Sequence, residues 1–199
     1  MKIVLRILAA MGLLILSPLI LISCILVFFE DGMPIFFIQK RIGKNEKTFN
    51  LIKIRTMLRE TPSLGTHEIT VDRYLKSGRI LRKLKIDELP QVFNFIIGDI
   101  NLIGPRPGLE NQLELLDFRR SKNIYRIKPG ISGLSQVLGY DMSSPQLLSD
   151  VDSLYIEKKS ILLDLNIFFA TFFNIFKLKL RNKFEREITK IEEKNVKYF

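Results

Sequence analysis

The sequence predicts an α+β, mostly helical fold, in which a small domain is attached to a membrane by a re-entrant helix and by amphipathic helices at the interface. Three observations predict it. Residues 7–29 contain no charged side chain. Residues 35–38 and 49–57 are short apolar or alternating segments of the kind that forms strands. Beyond residue 80, apolar residues recur mostly at helical spacing.

The composition narrows the possible functions. The 199 residues include 31 Lys and Arg against 21 Asp and Glu, a net charge of +10 that suits an anionic partner. The single cysteine (Cys24) and single histidine (His67) exclude an intrachain disulfide and a zinc site of Cys and His ligands. A catalytic metal would therefore need oxygen ligands, which favours Mg²⁺. His67 lies in a polar stretch and is expected to be an ordinary surface residue.

The first element is the apolar segment, which exceeds the roughly 20 residues that cross a bilayer as a helix. Pro18 lies in its middle and removes a backbone hydrogen bond, so the helix should bend or break at Ser17-Pro18, where Ser17 can bond to a freed carbonyl. Basic residues flank both sides, which favours a hairpin that enters and leaves by the cytoplasmic face. We therefore predict a re-entrant helix over residues 1–30 with both termini cytoplasmic. A straight span, or a secretory signal with the lipoprotein-like box Leu21-Ile22-Ser23-Cys24, is the alternative.

Residues 31–176, the middle of the chain, are predicted to form a cytoplasmic catalytic domain. After a turn at 31–34 and the first strand, residues 39–45 are predicted as a basic loop and residues 61–70 as a flexible loop. Helices are expected around residues 80–96, with an interruption near residues 87–90.

The remaining elements are predicted from periodicity and from Gly and Pro content. Residues 98–108 are expected to form a loop, residues 109–121 an amphipathic helix and residues 129–139 an irregular segment. Ser149 to Asp152 fits a capping box that opens a helix. Residues 161–176 predict a buried or membrane-surface helix, and residues 177–199 a basic helical tail.

Candidate chemistry begins with an acidic pair that follows a basic run. Arg79, Arg82, Lys83 and Lys85 lead into Asp87-Glu88-Leu89-Pro90. A helix that begins near Asp87 places Pro90 in its first turn and both carboxylates at the positive helix end, which keeps them ionised. An ionised carboxylate can attack phosphorus or bind Mg²⁺. A purely capping role for both residues is the alternative.

Three further motifs are compatible with phosphate or metal binding. Gly104-Pro105-Arg106-Pro107-Gly108 fixes the backbone around one Arg, which would hold a phosphate at a low entropic cost. The backbone N–H groups of Pro129-Gly130-Ile131-Ser132-Gly133 could nest an anion. Surface turns explain both motifs equally well. Asp150-Val151-Asp152 matches a metal motif of some nucleotide-sugar glycosyltransferases, and helix capping explains it as well. The P-loop, dinucleotide-binding and hydrolase-elbow motifs do not occur in the sequence.

Taken together, these residues resemble the bacterial sugar transferase family, the monotopic phosphoglycosyl transferases. The match extends from near residue 2 to about residue 170. It is carried by Ser17-Pro18, Gln39-Lys40-Arg41-Ile42-Gly43, Lys53-Ile54-Arg55-Thr56-Met57, Gly78-Arg79-Ile80-Leu81-Arg82-Lys83, Asp87-Glu88-Leu89-Pro90-Gln91, Asn94, Gly98-Asp99, Gly104-Pro105-Arg106-Pro107, Lys128-Pro129-Gly130-Ile131-Ser132-Gly133-Leu134, Gln136, and Asp152 with Tyr155.

The resemblance implies an enzyme on the cytoplasmic face of the bacterial inner membrane. Such enzymes move a sugar-1-phosphate from a nucleotide-sugar donor, usually a UDP-sugar, to a polyprenol phosphate such as undecaprenyl phosphate, in a ping-pong reaction with Mg²⁺ as cofactor. Asp87 would be the nucleophile and a metal ligand, and Glu88 its partner carboxylate. The implied substrate-binding residues are Lys53, Arg55, Arg82, Arg106, Gly130, Gly133, Gln136 and Asp152.

The sequence departs from the family pattern at three places. Val4-Leu5-Arg6 stands where many members carry an Asp, Ser132 where many have Thr, and Tyr140-Asp141 where many have Arg. A donor sugar different from that of better-known members is therefore expected. A membrane-anchored binding or scaffold protein is the alternative function. A nucleic-acid partner is not expected, because no recognisable binding motif occurs. The oligomeric state, a homo-oligomer included, stays open.

Overall fold

The computed structural model describes residues 2–61 and 70–196, so the loop predicted over residues 61–70, with His67, lies almost wholly outside them. The fold is α+β and mostly helical, as predicted. Its helices and strands follow in chain order: α1 (Lys2–Asp31), β1 (Phe36–Ile42), β2 (Thr48–Ile54), α2 (Lys76–Lys83), α3 (Gln91–Ile97), β3 (Asn101–Ile103), α4 (Leu113–Ser121), β4 (Gly130–Ser132), α5 (Leu134–Leu138), α6 (Pro145–Glu157), α7 (Ile161–Ala170) and α8 (Asn174–Val196).

The chain divides into two compact units. The first contains residues 1–40 and 49–99, and the second contains residues 41–48 and 100–199. Strands β1 and β2 pair in one two-stranded sheet, and β3 pairs with β4 in a second, parallel one, with Asn101 opposite Gly130 and Ile103 opposite Ser132.

Helix α1 is long and apolar enough to cross a membrane, by length and composition. It continues through Ser17-Pro18, so the predicted break in the helix is wrong, while a bend at Pro18 and the re-entrant path stay predictions. Pro18 has no N–H to donate to the carbonyl of Leu14, four residues earlier. The Ser17 hydroxyl donates to that same carbonyl at 2.7 Å, which explains how the helix continues without leaving it unpaired.

The first unit is organised around the second half of α1, which packs against α2 and α3. Its core contains Val27, Ile54, Leu75 and Leu81. The Glu30 carboxylate accepts hydrogen bonds from the backbone N–H groups of Lys76 and Ser77, so an acidic side chain of α1 caps the first turn of α2. The end of the apolar helix is thereby fixed to the unit that contains Asp87.

The second unit has a larger core formed by β3 and the helices α5 to α8. Its buried apolar residues are Ile103, Leu134, Val137, Leu138, Val151, Leu154, Tyr155, Leu163, Ile167, Ala170, Leu180, Phe184 and Ile188. The predicted boundary between residues 176 and 177 falls within α8.

Several element predictions need correction. Residues 39–45 are not a loop throughout, because β1 continues to Ile42. The segments 98–108 and 129–139 contain β3, β4 and α5, since short stretches rich in Gly and Pro still pair as strands when two backbones approach closely. Ser149 to Asp152 does not open a helix: α6 begins at Pro145, whose fixed φ suits a first helical turn.

Candidate functional site

Asp87 lies in a single 3₁₀ turn, Ile86–Glu88, between α2 and α3. Helix α2 ends at Lys83, and Lys85, in the left-handed conformation with φ of 57°, directly precedes this turn. Helix α3 begins at Gln91, so the predicted helix start near Asp87, with Pro90 in its first turn, is wrong: Pro90 directly precedes α3, and Asp87 lies in the separate turn before it. Asp87 is 6% exposed, so a substrate would reach only a small part of its carboxylate.

Glu88 is held by a strand of the same unit. Lys53 of β2 donates to the Glu88 carboxylate at 2.9 Å, and about one sixth of each side chain is exposed. Two predicted site residues are thus brought together beside Asp87. The Lys53 ammonium places a positive charge at the acidic turn, where an incoming phosphate would otherwise meet two carboxylates.

Arg55 follows β2 and is 5% exposed. Its guanidinium pairs with the Asp31 carboxylate and donates to the carbonyl of Gly32 at 2.6 Å. The backbone N–H of Arg59 donates to the same carboxylate at 3.1 Å. The structure therefore gives Arg55 a role in fixing the end of α1 to β2, and its predicted contact with a substrate stays a prediction.

Arg82 projects from the last turn of α2, and its guanidinium lies over the ring of Tyr74, 4.9 Å from the ring centre. Stacking of a cation on an aromatic face fixes the plane of its guanidinium group. The stacking already restricts the side chain, so Arg82 would lose less conformational entropy on binding an anion.

Asn94 of α3 is a buried polar residue that carries part of the family resemblance, but the sequence assigned it no role. Its side-chain oxygen accepts from the Ile52 N–H at 3.1 Å, and its nitrogen donates to the Asn50 carbonyl at 2.7 Å and to Asp99 at 3.1 Å. It therefore docks α3 onto β2, the strand that supplies Lys53. The signals in the sequence were its place among the family motifs and its position between apolar residues of α3.

In the second unit, the backbone of the Pro105–Gly108 turn is held at three successive carbonyls. Arg119 donates to the carbonyl of Arg106 at 2.8 Å, Arg41 to that of Pro107 at 3.0 Å, and the Ile42 N–H to that of Gly108 at 3.0 Å. This agrees with the expected rigid presentation of the Arg106 side chain, and its contact with a phosphate stays a prediction.

Asp152 belongs to the network that supports this turn. Its carboxylate accepts from Arg119 at 2.5 Å and from the Ser135 hydroxyl at 2.7 Å, and all three side chains are 2% exposed or less. Burial raises the pKa of Asp152, and Arg119 and Ser135 act in the opposite direction. Asp150 pairs with Lys122 at 2.9 Å, so both carboxylates of the Asp150-Val151-Asp152 motif bind cations of the protein.

Gly130 and Gly133 have a packing role in the structure. A Cβ atom at Gly130 would lie 2.1 Å from the backbone nitrogen of Gly104. A Cβ atom at Gly133 would lie 2.4 Å from the carbonyl oxygen of the same Gly104. The Gly130 N–H donates to the carbonyl of Pro105 at 2.9 Å, so this group is not available to an anion. Residues Gly130–Ser132 form strand β4, so the alternative of a surface turn is wrong. Nearby, the side-chain oxygen of Gln136 is buried without a partner among the described residues. The substrate roles of these three residues stay predictions.

The acidic pair contains Asp87, the predicted magnesium ligand. Within residues 2–61 and 70–196, no group of three or more Asp, Glu, His or Cys side chains is arranged to hold a metal. Mg²⁺ commonly uses one or two carboxylates and completes its shell with waters and substrate phosphates. The turn offers at most the two carboxylates of Asp87 and Glu88, and Glu88 already binds Lys53, so an Mg²⁺ ion here would need oxygens from a phosphorylated substrate and its binding stays a prediction.

A comparison with known proteins decides the family. A family model described as bacterial sugar transferase matches residues 1–178. The chain belongs to the bacterial sugar transferase family. Membership confirms the resemblance drawn from the motifs, and it makes the chain a transferase.

Three relatives illustrate the family. The chain is 39% identical over 155 residues to "Uncharacterized sugar transferase EpsL" of Bacillus subtilis, covering 78% of this chain and 76% of that protein. It is 36% identical to "UDP-N-acetylgalactosamine-undecaprenyl-phosphate N-acetylgalactosaminephosphotransferase" of Aeromonas hydrophila, covering 82% of this chain and 40% of that protein. It is 34% identical to "UDP-glucose:undecaprenyl-phosphate glucose-1-phosphate transferase" of Caulobacter vibrioides, covering 82% and 64%. The chain thus spans less than two thirds of the last two relatives.

Proposed function

We propose that the chain transfers a sugar-1-phosphate from a UDP-sugar to undecaprenyl phosphate, as a first membrane step in the assembly of a cell-surface glycan. The observation that carries this proposal is the buried Asp87 in a rigid turn, next to the Lys53–Glu88 ion pair, in a chain of this family. The named reactions of the Aeromonas and Caulobacter relatives support the class of donor and acceptor. Because those two relatives use different sugars, the sugar has to be found by experiment.

In the first step, a carboxylate oxygen of Asp87 attacks the phosphorus that carries the sugar. A new oxygen–phosphorus bond forms, and the bond from this phosphorus to the bridging oxygen breaks, so UMP leaves with that oxygen. The sugar phosphate is then joined to Asp87 as an acyl phosphate. Lys53, Arg82 and Arg106 are proposed to neutralise phosphate charge. Mg²⁺, when bound at Asp87 with the donor phosphates, would offset the charge that develops on their oxygens.

In the second step, a phosphate oxygen of undecaprenyl phosphate attacks the same phosphorus. The bond to Asp87 breaks, which regenerates the carboxylate and leaves the sugar on a lipid diphosphate. Covalent catalysis lets two bulky anionic substrates react one after the other with one carboxylate. The lipid acceptor stays in the bilayer, so the reaction requires that Asp87 lie at the membrane surface.

Two features support a site at a membrane surface. Helix α1 is apolar and most of its large side chains are exposed. In the second unit, α7 buries Leu163 and Ile167 in the core, while its other side and the following turn expose large apolar residues: Ile161, Leu162, Leu165, Phe168, Phe169, Phe172 and Phe173. We propose that α1 is re-entrant with both termini cytoplasmic, and that α7 is an interface helix whose exposed side contacts lipid.

The decisive experiment measures UMP release by the full-length protein in nanodiscs with undecaprenyl phosphate, Mg²⁺ and a panel of UDP-sugars. We expect release with at least one donor, and its loss with Asp87→Asn, which keeps the shape of the side chain but removes the nucleophile. Asp72→Asn is the matched control, because that side chain is 73% exposed and its contacts are local, with Thr70 and with Arg73, which is 3.8 Å away.

The experiment also identifies the intermediate. With a donor labelled in the sugar and no acceptor, the unsubstituted protein should retain label that survives denaturation, and Asp87→Asn should not. Full turnover by Asp87→Asn would overturn the assignment of the nucleophile. No release of UMP from any donor by the unsubstituted protein would favour the alternative of a membrane-anchored scaffold.

A further inference from the structure

Gln91, the first residue of α3, carries a buried hydrogen-bond donor that has no partner in the described part of the chain. The residue is 2% exposed, and its side-chain nitrogen Nε2 has no hydrogen-bond partner among residues 2–61 and 70–196. Buried polar groups in folded proteins are paired in the large majority of cases, because an unpaired one loses its bonds to water without replacement. The amide of Gln91 therefore points to a partner that the described residues, 2–61 and 70–196, do not supply.

Gln91 lies on the same side of the chain as Asp87. Leu89 and Pro90 both have right-handed helical dihedral angles, with φ and ψ of −55° and −38° and of −60° and −19°, so the chain stays helical from the 3₁₀ turn into α3. Residues four apart share a face of such a helix. The burial pattern agrees: Asp87, Gln91 and Asn94 are buried, whereas Phe93 is exposed.

Asp87, Gln91 and Asn94 form one buried polar face. Asp87 and Asn94 have separate roles, so the role of Gln91 remains to be explained. Asn94 is saturated by its bonds to β2 and Asp99, so it is a docking residue. Asp87 is the proposed nucleophile. A donor that stood in the core only for packing would be replaced at no cost by an apolar side chain of equal size. The position of Gln91 between Asn94 and Asp87 suits a contact with the group that binds to Asp87.

We propose that the Gln91 amide donates a hydrogen bond to a non-bridging oxygen of the phosphoryl group that is transferred through Asp87. This inference rests on the proposed function. Negative charge on these oxygens must be stabilised as the bond to Asp87 forms and the bond to UMP breaks, and a fixed neutral donor does so without a proton transfer. Gln91 keeps both amide protons throughout, and its oxygen takes no part in the step.

The test compares turnover with stability in full-length protein. Gln91→Met keeps the length of the side chain and removes the donor, and Gln91→Glu replaces the amide by a carboxylate that repels the phosphoryl oxygens. For Gln91→Met we expect kcat for UMP release to fall about 100-fold, the usual effect of losing one such donor. The Tm, followed by circular dichroism in detergent, should be equal to or above that of the unsubstituted protein. For Gln91→Glu we expect a larger fall in kcat.

Gln112→Met is the matched control. The Gln112 side chain accepts from the Leu109 N–H at 2.8 Å, so its loss should lower the Tm while turnover by the folded protein stays close to normal. A Gln91→Met protein with normal kcat, or one whose Tm falls in step with its activity, would overturn the inference. If Asp87→Asn is inactive while Gln91→Met is normal, the inference alone fails. If Asp87→Asn turns over normally, the proposed function fails, and the inference fails with it.

Discussion

Arg119 and Asp152 show how strongly a single residue can depend on its surroundings. Arg119 is 2% exposed and binds both the Asp152 carboxylate and the Arg106 carbonyl, while its neighbour Arg120 is 51% exposed and pairs with Glu46 at the surface. A buried charge that loses its partner is destabilising, whereas a surface pair contributes little. The two adjacent arginines therefore form a matched pair for mutation.

We predict that Arg119→Met lowers the free energy of unfolding by about 3–5 kcal/mol, because it leaves the Asp152 carboxylate buried and unpaired. It should also raise the KM for the nucleotide sugar. The Arg106 carbonyl loses its hydrogen bond from Arg119, so the proposed phosphate contact of the Arg106 side chain is held less firmly. Arg120→Met is the control and should change both quantities little. Urea unfolding and UMP release measure the two effects, and equal losses in the two variants would contradict the prediction.

The pH dependence of this effect has a definite sign. Burial raises the pKa of Asp152, and Arg119 opposes that rise. Without Arg119 the pKa in the folded protein should rise further. A carboxyl whose pKa is higher in the folded state destabilises the protein increasingly as pH rises from its unfolded value through its folded value. The stability deficit of Arg119→Met should therefore grow from acidic to neutral pH, and a deficit that shrinks with pH would refute this explanation.

At the scale of elements, the close approach of α2 to the end of β2 depends on one glycine. A Cβ atom at Gly78 would lie 2.2 Å from the backbone oxygen of Thr56, a distance that real Cβ contacts do not reach. The helix carries Arg82 and leads directly into the Asp87 turn. A displaced α2 would therefore disturb the candidate site as well as the packing.

We predict that Gly78→Ala lowers the free energy of unfolding by at least about 1–3 kcal/mol, because backbone atoms must move apart, and that it strongly reduces UMP release. Gly12→Ala is the control: Gly12 is also helical, but no atom lies within 4 Å of its added Cβ. That variant should keep its stability and activity. Thermal unfolding of both proteins, with their turnover, tests the prediction, and tolerance of Gly78→Ala would show that α2 can move freely.

The elements also show what a sequence can and cannot predict. The apolar α1, the strand β2 and the interruption before Pro90 follow from local composition and periodicity, so they were predicted. Strands β3 and β4 have three residues each and exist because Asn101 and Gly130, far apart in the chain, become neighbours. No local pattern marks such a pairing. Likewise, nothing near Arg119 or Gln91 in the sequence distinguishes a buried side chain from an exposed one.

At the scale of the whole molecule, the direction of α1 is the main open prediction. Two variants that each carry one cysteine, at residue 2 or at residue 44, both with Cys24 replaced, can be labelled in intact and opened cells with a reagent that does not cross the membrane. A re-entrant helix predicts that both are labelled only after the cells are opened. Labelling of residue 2 alone in intact cells would show a straight span, and the basic residues on both flanks would then need another explanation.

The similarity to the family and the packing of the second unit end at different places. The family match stops at residue 178, but Leu180, Phe184 and Ile188 of α8 are buried in the main core, and Glu192 accepts a hydrogen bond from Tyr140 at 3.3 Å. A protein shortened to the family boundary would therefore expose to solvent the apolar core residues that α8 covers. Expression of such a fragment should yield aggregates, so any attempt at a minimal soluble form has to shorten the other end.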